Sequence, residues 1–130
     1  DDEWGYENAQ KLIESDADVI FAAGGVTAVG ALRAAGEAKV KTIGAERDQA
    51  AVLGKEGSGV VTSMLGRASF TVHELIRGLR GGNTADMVTG PIGYIPFDGS
   101  VSKSVLLDMQ SLLASLENGE IKTNIPLPSP

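Results

Sequence analysis

Apolar positions change their spacing several times along the chain, and each change marks an element. Ala9, Leu12 and Ile13 recur at i, i+3, i+4, which predicts a helix over Tyr6 to Glu14. Ser15-Asp16 ends it. Val19 to Ala22 is then a short continuous apolar run, the pattern of a strand buried on both faces of a parallel sheet. After Gly24-Gly25 an Ala-rich helix is predicted from Ala28 to about Ala38, with Thr27 placed to cap it. Thr42-Ile43-Gly44-Ala45 reads as a second strand, so strand, helix and strand make a βαβ unit.

The alternation continues. A short polar helix is expected over Asp48 to Leu53, a turn at Gly57-Ser58-Gly59 and a third strand over Val60 to Leu65. Val72, Leu75, Ile76 and Leu79 form an apolar stripe on a helix from about Ala68 to Arg80, closed by Gly81-Gly82-Asn83. Met87-Val88-Thr89 and Gly93-Tyr94-Ile95 are short strand candidates, and Pro96 stops the second. The last helix is the clearest, capped by Ser102, with Val105, Leu106, Met109, Leu112, Leu113 and Leu116 on one broad face and Asn118-Gly119 at its end. An extended tail, Ile121 to Pro130, follows. The fold class expected is α/β: an open, mostly parallel sheet flanked by helices, in one unit over residues 1–130.

Composition narrows the function classes. A net charge of −6 disfavours nucleic-acid backbone binding, which needs a cationic face. Arg67, Arg77 and Arg80 make one basic cluster, read as a solvated helix face. The chain has no Cys, hence no thiol nucleophile or zinc-thiolate site, and its single His73 rules out a two-histidine metal motif. No metal or cofactor is expected. No run of 18 apolar residues occurs. The opening Asp1-Asp2-Glu3, without Met, suggests a processed or excised piece.

Open parallel sheets bind ligands beyond the carboxyl ends of their strands. Phe21 to Gly25, Ala45 to Gln49 and Ser63 to Arg67 lie at such ends. The Gly24, Gly25, Gly30 spacing fits neither the dinucleotide fingerprint nor the P-loop, yet the turn still exposes N–H groups at a helix start. No Gly-x-Ser-x-Gly elbow is present. Glu46 and Asp48 are paired carboxylates that suit either acid–base chemistry or binding of sugar hydroxyls. Phe21 offers either a stacking face or a core side chain.

The ordered set ADVIFAAGGVTAVGAL, TIGAERDQA, VVTSML, GPIGYIPF and the closing ENGEIKTNIP resembles the basic-membrane-protein family, the PnrA-like substrate-binding lipoproteins of ABC transporters. The resemblance covers nearly the whole chain. It implies a type I periplasmic-binding-protein fold, of which this chain would be the second half, a single lobe over 1–130 with the first lobe missing. It implies a binder rather than an enzyme, with a nucleoside-like solute held in an inter-lobe cleft and an ABC permease as partner of the full-length protein. That protein would be extracytoplasmic and lipid-anchored. An isolated half is expected to self-associate over its uncovered apolar faces.

The resemblance carries a ligand-binding set onto Phe21, Gly24, Gly25, Thr27, Glu46, Asp48, Ser63 and Arg67, with no catalytic residue. The family's Thr-Gly-Asn-Gly reads Thr27-Ala28-Val29-Gly30 here, its first Asp is Glu46, and its lysine is gone, with Arg67 one place on. Two other readings stand beside it: an α/β enzyme acting on nucleosides through Glu46 and Asp48, and a ligand-sensing regulatory domain.

Overall fold

A computed structural model describes residues 1–82, 90–97, 99 and 101–122. Its elements follow the predicted alternation. They are α1 (Asp2–Glu14), β1 (Val19–Phe21), α2 (Val26–Glu37), β2 (Lys41–Ala45), α3 (Gln49–Leu53), a 3-10 turn (Gly54–Gly57), β3 (Val60–Gly66), α4 (Ala68–Arg80), β4 (Ile92–Tyr94) and α5 (Lys103–Glu117). The four strands form one sheet in the order β1-β2-β3-β4. β1, β2 and β3 are parallel, with Val19 opposite Lys41 and Gly44 opposite Ser63. The sheet is therefore mostly parallel and open, as the pattern predicts.

Helix starts account for two differences from the sequence reading. α1 begins at Asp2 rather than Tyr6, because the Asp1 side chain accepts a hydrogen bond from Trp4 N–H and Asp2 and Glu3 occupy the first turn. Acidic side chains there complement the helix dipole, a signal the apolar stripe alone misses. α2 is not capped by Thr27: it starts at Val26 behind Gly25, which makes no side-chain cap. Thr27 lies inside the first turn, and its Oγ1 accepts from the Asp1 amino group at 2.9 Å. Ser102 does cap α5, accepting from Val105 N–H. The strand candidate at 87–89 and the tail from 123 onward lie outside the described residues.

The structure divides the chain into two compact units. One holds Asp1–Leu65 with Tyr94–Val101, the other Gly66–Gly93 with Ser102–Pro130. The core of the first unit is built from small residues. Ala9, Ile20, Ala34 and Ala35 form one buried cluster and Ala22, Ala28, Leu32 and Val60 another. Small side chains let α1 and α2 approach closely. A Cβ on Gly5 would overlap the Thr27 carbonyl, and one on Gly30 would overlap the Asp2 carbonyl. Arg33 reinforces this contact, pairing with Asp2 at 2.9 Å and lying over the Tyr6 ring, 5.2 Å from its centroid.

In the second unit, α4 and α5 contribute no buried residue. Arg77 pairs with Glu74 one turn away at 3.0 Å and stays exposed, which fits the solvated basic face expected. Arg67 N–H donates to the Pro91 carbonyl at 3.1 Å.

Candidate functional site

The first unit brings the ends of β1, β2 and β3 to one edge of its sheet, and each end has its own device. After β1 the chain turns at Gly24 (φ 123°) and Gly25 (φ 61°). Both values favour glycine, and open space surrounds the place where each Cβ would be. The turn feeds straight into α2, whose first N–H groups have no partner within the helix. Phe21, the residue before this turn, is 59% exposed and so available to a flat partner.

After β2 the chain makes a tighter turn. Glu46 N–H donates to Met64 C=O and Arg47 N–H to Ala45 C=O, both at 2.9 Å. The second bond closes a three-residue turn with Glu46 at its centre, held at φ 72°. Positive φ in such a turn marks the rare, strained form of γ-turn. An exposed glutamate kept in a conformation that favours glycine is the kind of outlier that clusters at ligand sites. The Asp48 carboxylate is engaged locally: it caps α3, accepting from Ala51 N–H at 3.1 Å.

A buried brace holds this turn. Gln49 N–H donates to Ser63 Oγ at 3.1 Å, and Gln49 Nε2 donates to Ala45 C=O at 2.9 Å. Ala45 C=O thus receives two donors, one from the turn and one from the brace. Ser63 is 1% exposed, so its hydroxyl faces the interior. Gly44 makes the brace possible. A Cβ there would lie 2.5 Å from Gln49 Cγ and 2.7 Å from Ser63 Oγ. Gly44 and Gln49 are absent from the predicted site. A glycine inside a strand is itself the signal of close approach that would have found them.

The expected residues therefore separate. Phe21, Gly24, Gly25, Glu46 and Asp48 sit in the strand-end loops of the first unit. Thr27 lies in the first turn of α2, bonded to the Asp1 amine, and Ser63 belongs to the brace. Arg67 belongs to the second unit, precedes α4 and is exposed. Among the described residues no group of His, Asp and Glu side chains is placed to hold a metal ion. Nor is any described helix long and apolar enough to cross a membrane.

The profile of a family described as ABC transporter substrate-binding protein, PnrA-like, matches residues 1–129. No curated protein matches. Among solved structures, a transcriptional activator of the comK gene from Bacillus halodurans superposes with a TM-score of 0.73 at 18% identity, covering 91% of this chain and 43% of that one. An ABC transporter solute-binding protein from Aeropyrum pernix gives 0.68 at 16% identity, covering 94% and 44%. Another from Conexibacter woesei gives 0.67 at 21%, covering 93% and 41%. The chain thus spans less than half the length of these structures, and at such identities they establish the fold alone.

Proposed function

We propose that this chain, which belongs to the PnrA-like family of ABC transporter substrate-binding proteins, forms one wall of a cleft that holds a small polar solute for an ABC permease. The observation that carries the reading is the strained, braced Glu46 turn beside the Gly24-Gly25 turn, both at the carboxyl edge of a parallel sheet. The solute class is nucleoside-like. Glu46 accepts hydrogen bonds from vicinal hydroxyls, the N–H groups of the Gly24-Gly25 turn and the α2 start face a polar acceptor, and Phe21 stacks on a flat base. Binding proceeds without bond-making chemistry. The carboxylate pair is divided between a ligand-facing Glu46 and an Asp48 that caps a helix.

The intact protein acts outside the cytoplasm, anchored by a lipid, and closes two lobes over its solute. One wall alone buries too little of a solute for tight binding, so the 130-residue chain binds purine nucleosides no better than about millimolar. Titration calorimetry of the intact protein with purine nucleosides tests the reading. Glu46→Gln weakens binding at least ~10-fold, the size expected when a charged hydrogen-bond acceptor becomes neutral. Unchanged affinity in that variant, or submicromolar binding by the 130-residue chain alone, overturns it.

A further inference from the structure

The Glu46 turn is pinned at both ends. At its entrance Glu46 N–H extends the β2–β3 pairing to Met64 C=O. At its exit Asp48 caps α3, and Gln49 N–H is held by Ser63 Oγ. Across its middle Gln49 Nε2 reaches back to Ala45 C=O, the carbonyl that also accepts from Arg47 N–H. A change of side chain at position 49 removes that last bond and leaves the others their partners.

Gln49 contributes little to the fold itself. Its side chain lies in a residue only 4% exposed, and Oε1 is buried with no hydrogen-bond partner among the described residues. A buried acceptor in that condition cancels much of what the Nε2 bond contributes. The bond also maintains Glu46 at φ 72°, which disfavours any residue with a Cβ. Methionine would fill the same space with no amide to satisfy. What the amide does provide is position. Glu46 is exposed, so no packing fixes its carboxylate. The direction of that carboxylate follows from the backbone, and a relaxed φ would turn the side chain away.

We propose that Gln49 is a positioning residue. By anchoring Ala45 C=O it fixes the Glu46 carboxylate in the one direction from which it accepts from two neighbouring hydroxyls. It thereby sets the discrimination between a sugar with a vicinal diol and one that lacks a hydroxyl of the pair. The discrimination rests on the nucleoside-like reading above, whereas the control of Glu46 does not.

Gln49→Met in the intact protein tests both parts. The first readout needs no solute. At positive φ a residue's own N–H and Hα protons lie closer together than at negative φ, which gives a strong intraresidue nuclear Overhauser effect. That signal at Glu46 is strong in the wild type and falls in Gln49→Met, while thermal melting stays close to wild type. The second readout compares guanosine with 2′-deoxyguanosine by calorimetry. Guanosine affinity falls at least ~10-fold and 2′-deoxyguanosine affinity less than ~3-fold, as expected when a charge-assisted hydrogen bond is lost from the diol alone. If the Met variant does not fold, Ser63→Ala, which removes the acceptor of Gln49 N–H, is read by the same two signals. An unchanged Glu46 signal in a folded variant overturns the proposal, and so does an equal loss of affinity for the two nucleosides. A wild type that binds neither nucleoside, with the Glu46 signal still lost in the variant, sinks the solute reading and leaves the positioning role standing.

Discussion

The α1–α2 pair and the α4 and α5 helices start from similar sequence signals and end differently. α2 is Ala-rich and only mildly amphipathic, yet it buries Ala28, Gly30, Leu32, Ala34 and Ala35. α4 has the sharper apolar stripe, Val72, Leu75, Ile76 and Leu79, and buries none of them. Ile76 and Leu79 are each 52% exposed. Periodicity states which face of a helix gains from leaving water. Whether that gain is realised depends on a partner surface, which α1 and β1 give to α2 and which the described residues do not give to α4. In energetic terms, the first unit is held by close approach of backbones, and the second carries surface still awaiting burial.

The contrast is broken most strongly at Gly30. In Gly30→Ala the new methyl must displace the Asp2 carbonyl, and urea unfolding should show a loss of about 3 kcal/mol in the first unit. The opposite experiment removes more atoms for less effect. Ile76→Ala with Leu79→Ala should change the stability of the 130-residue chain by under ~0.5 kcal/mol, as at other surface positions. We expect the unmodified chain to self-associate over this stripe and the double variant to do so less, by sedimentation velocity. A wild-type chain that stays monomeric at high concentration would sink that expectation.

Smaller effects sharpen the account of the binding wall. Asp48→Ala removes the cap of α3 and should cost about 1 kcal/mol. If Asp48 instead served chiefly as a ligand group, affinity would fall and stability would not. Glu46→Gly should move the other way. Relief of the φ 72° strain should raise stability by about 1 kcal/mol while solute binding is lost. A variant that loses both would show that the carboxylate supports the fold.

The smallest effect is a pH limb. Tyr6 donates its hydroxyl proton to Glu37, and that bond, with some burial and the Glu37 charge, holds the phenol pKa above its ordinary 10.0. A raised pKa means the folded state keeps its proton more tightly than the unfolded one. The stabilisation is complete below pH 10.0 and fades as pH climbs through the raised value. Tyr6→Phe should flatten that alkaline limb in thermal melts, with its small stability loss present at neutral pH and vanishing above the raised value.

Much of this fold was legible because the chain states its elements locally. Val19-Ile20-Phe21, the Ala-rich run after Gly25 and the Ser102 cap all appear where single-residue chemistry places them. Two features lay outside the apolar pattern. The start of α1 depended on charge at Asp2 and Glu3, not on apolar spacing. The division into units depends on which distant segments pack together, and no linker marks it. The site divides the same way. Turn chemistry at Gly24-Gly25 and carboxylates at Glu46 and Asp48 were visible in sequence. The brace through Gly44, Gln49 and Ser63 exists only once β2 and β3 lie side by side.

The discontinuity of the first unit sets an order of events during synthesis. Asp1–Leu65 leaves the ribosome well before Tyr94–Val101, with Gly66–Gly93 made in between. α1, β1, α2 and β2 can pair as they emerge, since their contacts are near in sequence. The C=O of Ser63 must wait for the N–H of Ile95, and the Thr62 hydroxyl for the Ile95 carbonyl. Until that late segment arrives, β3 is an open edge on a nascent chain, exposed to any passing strand and a natural client for a chaperone.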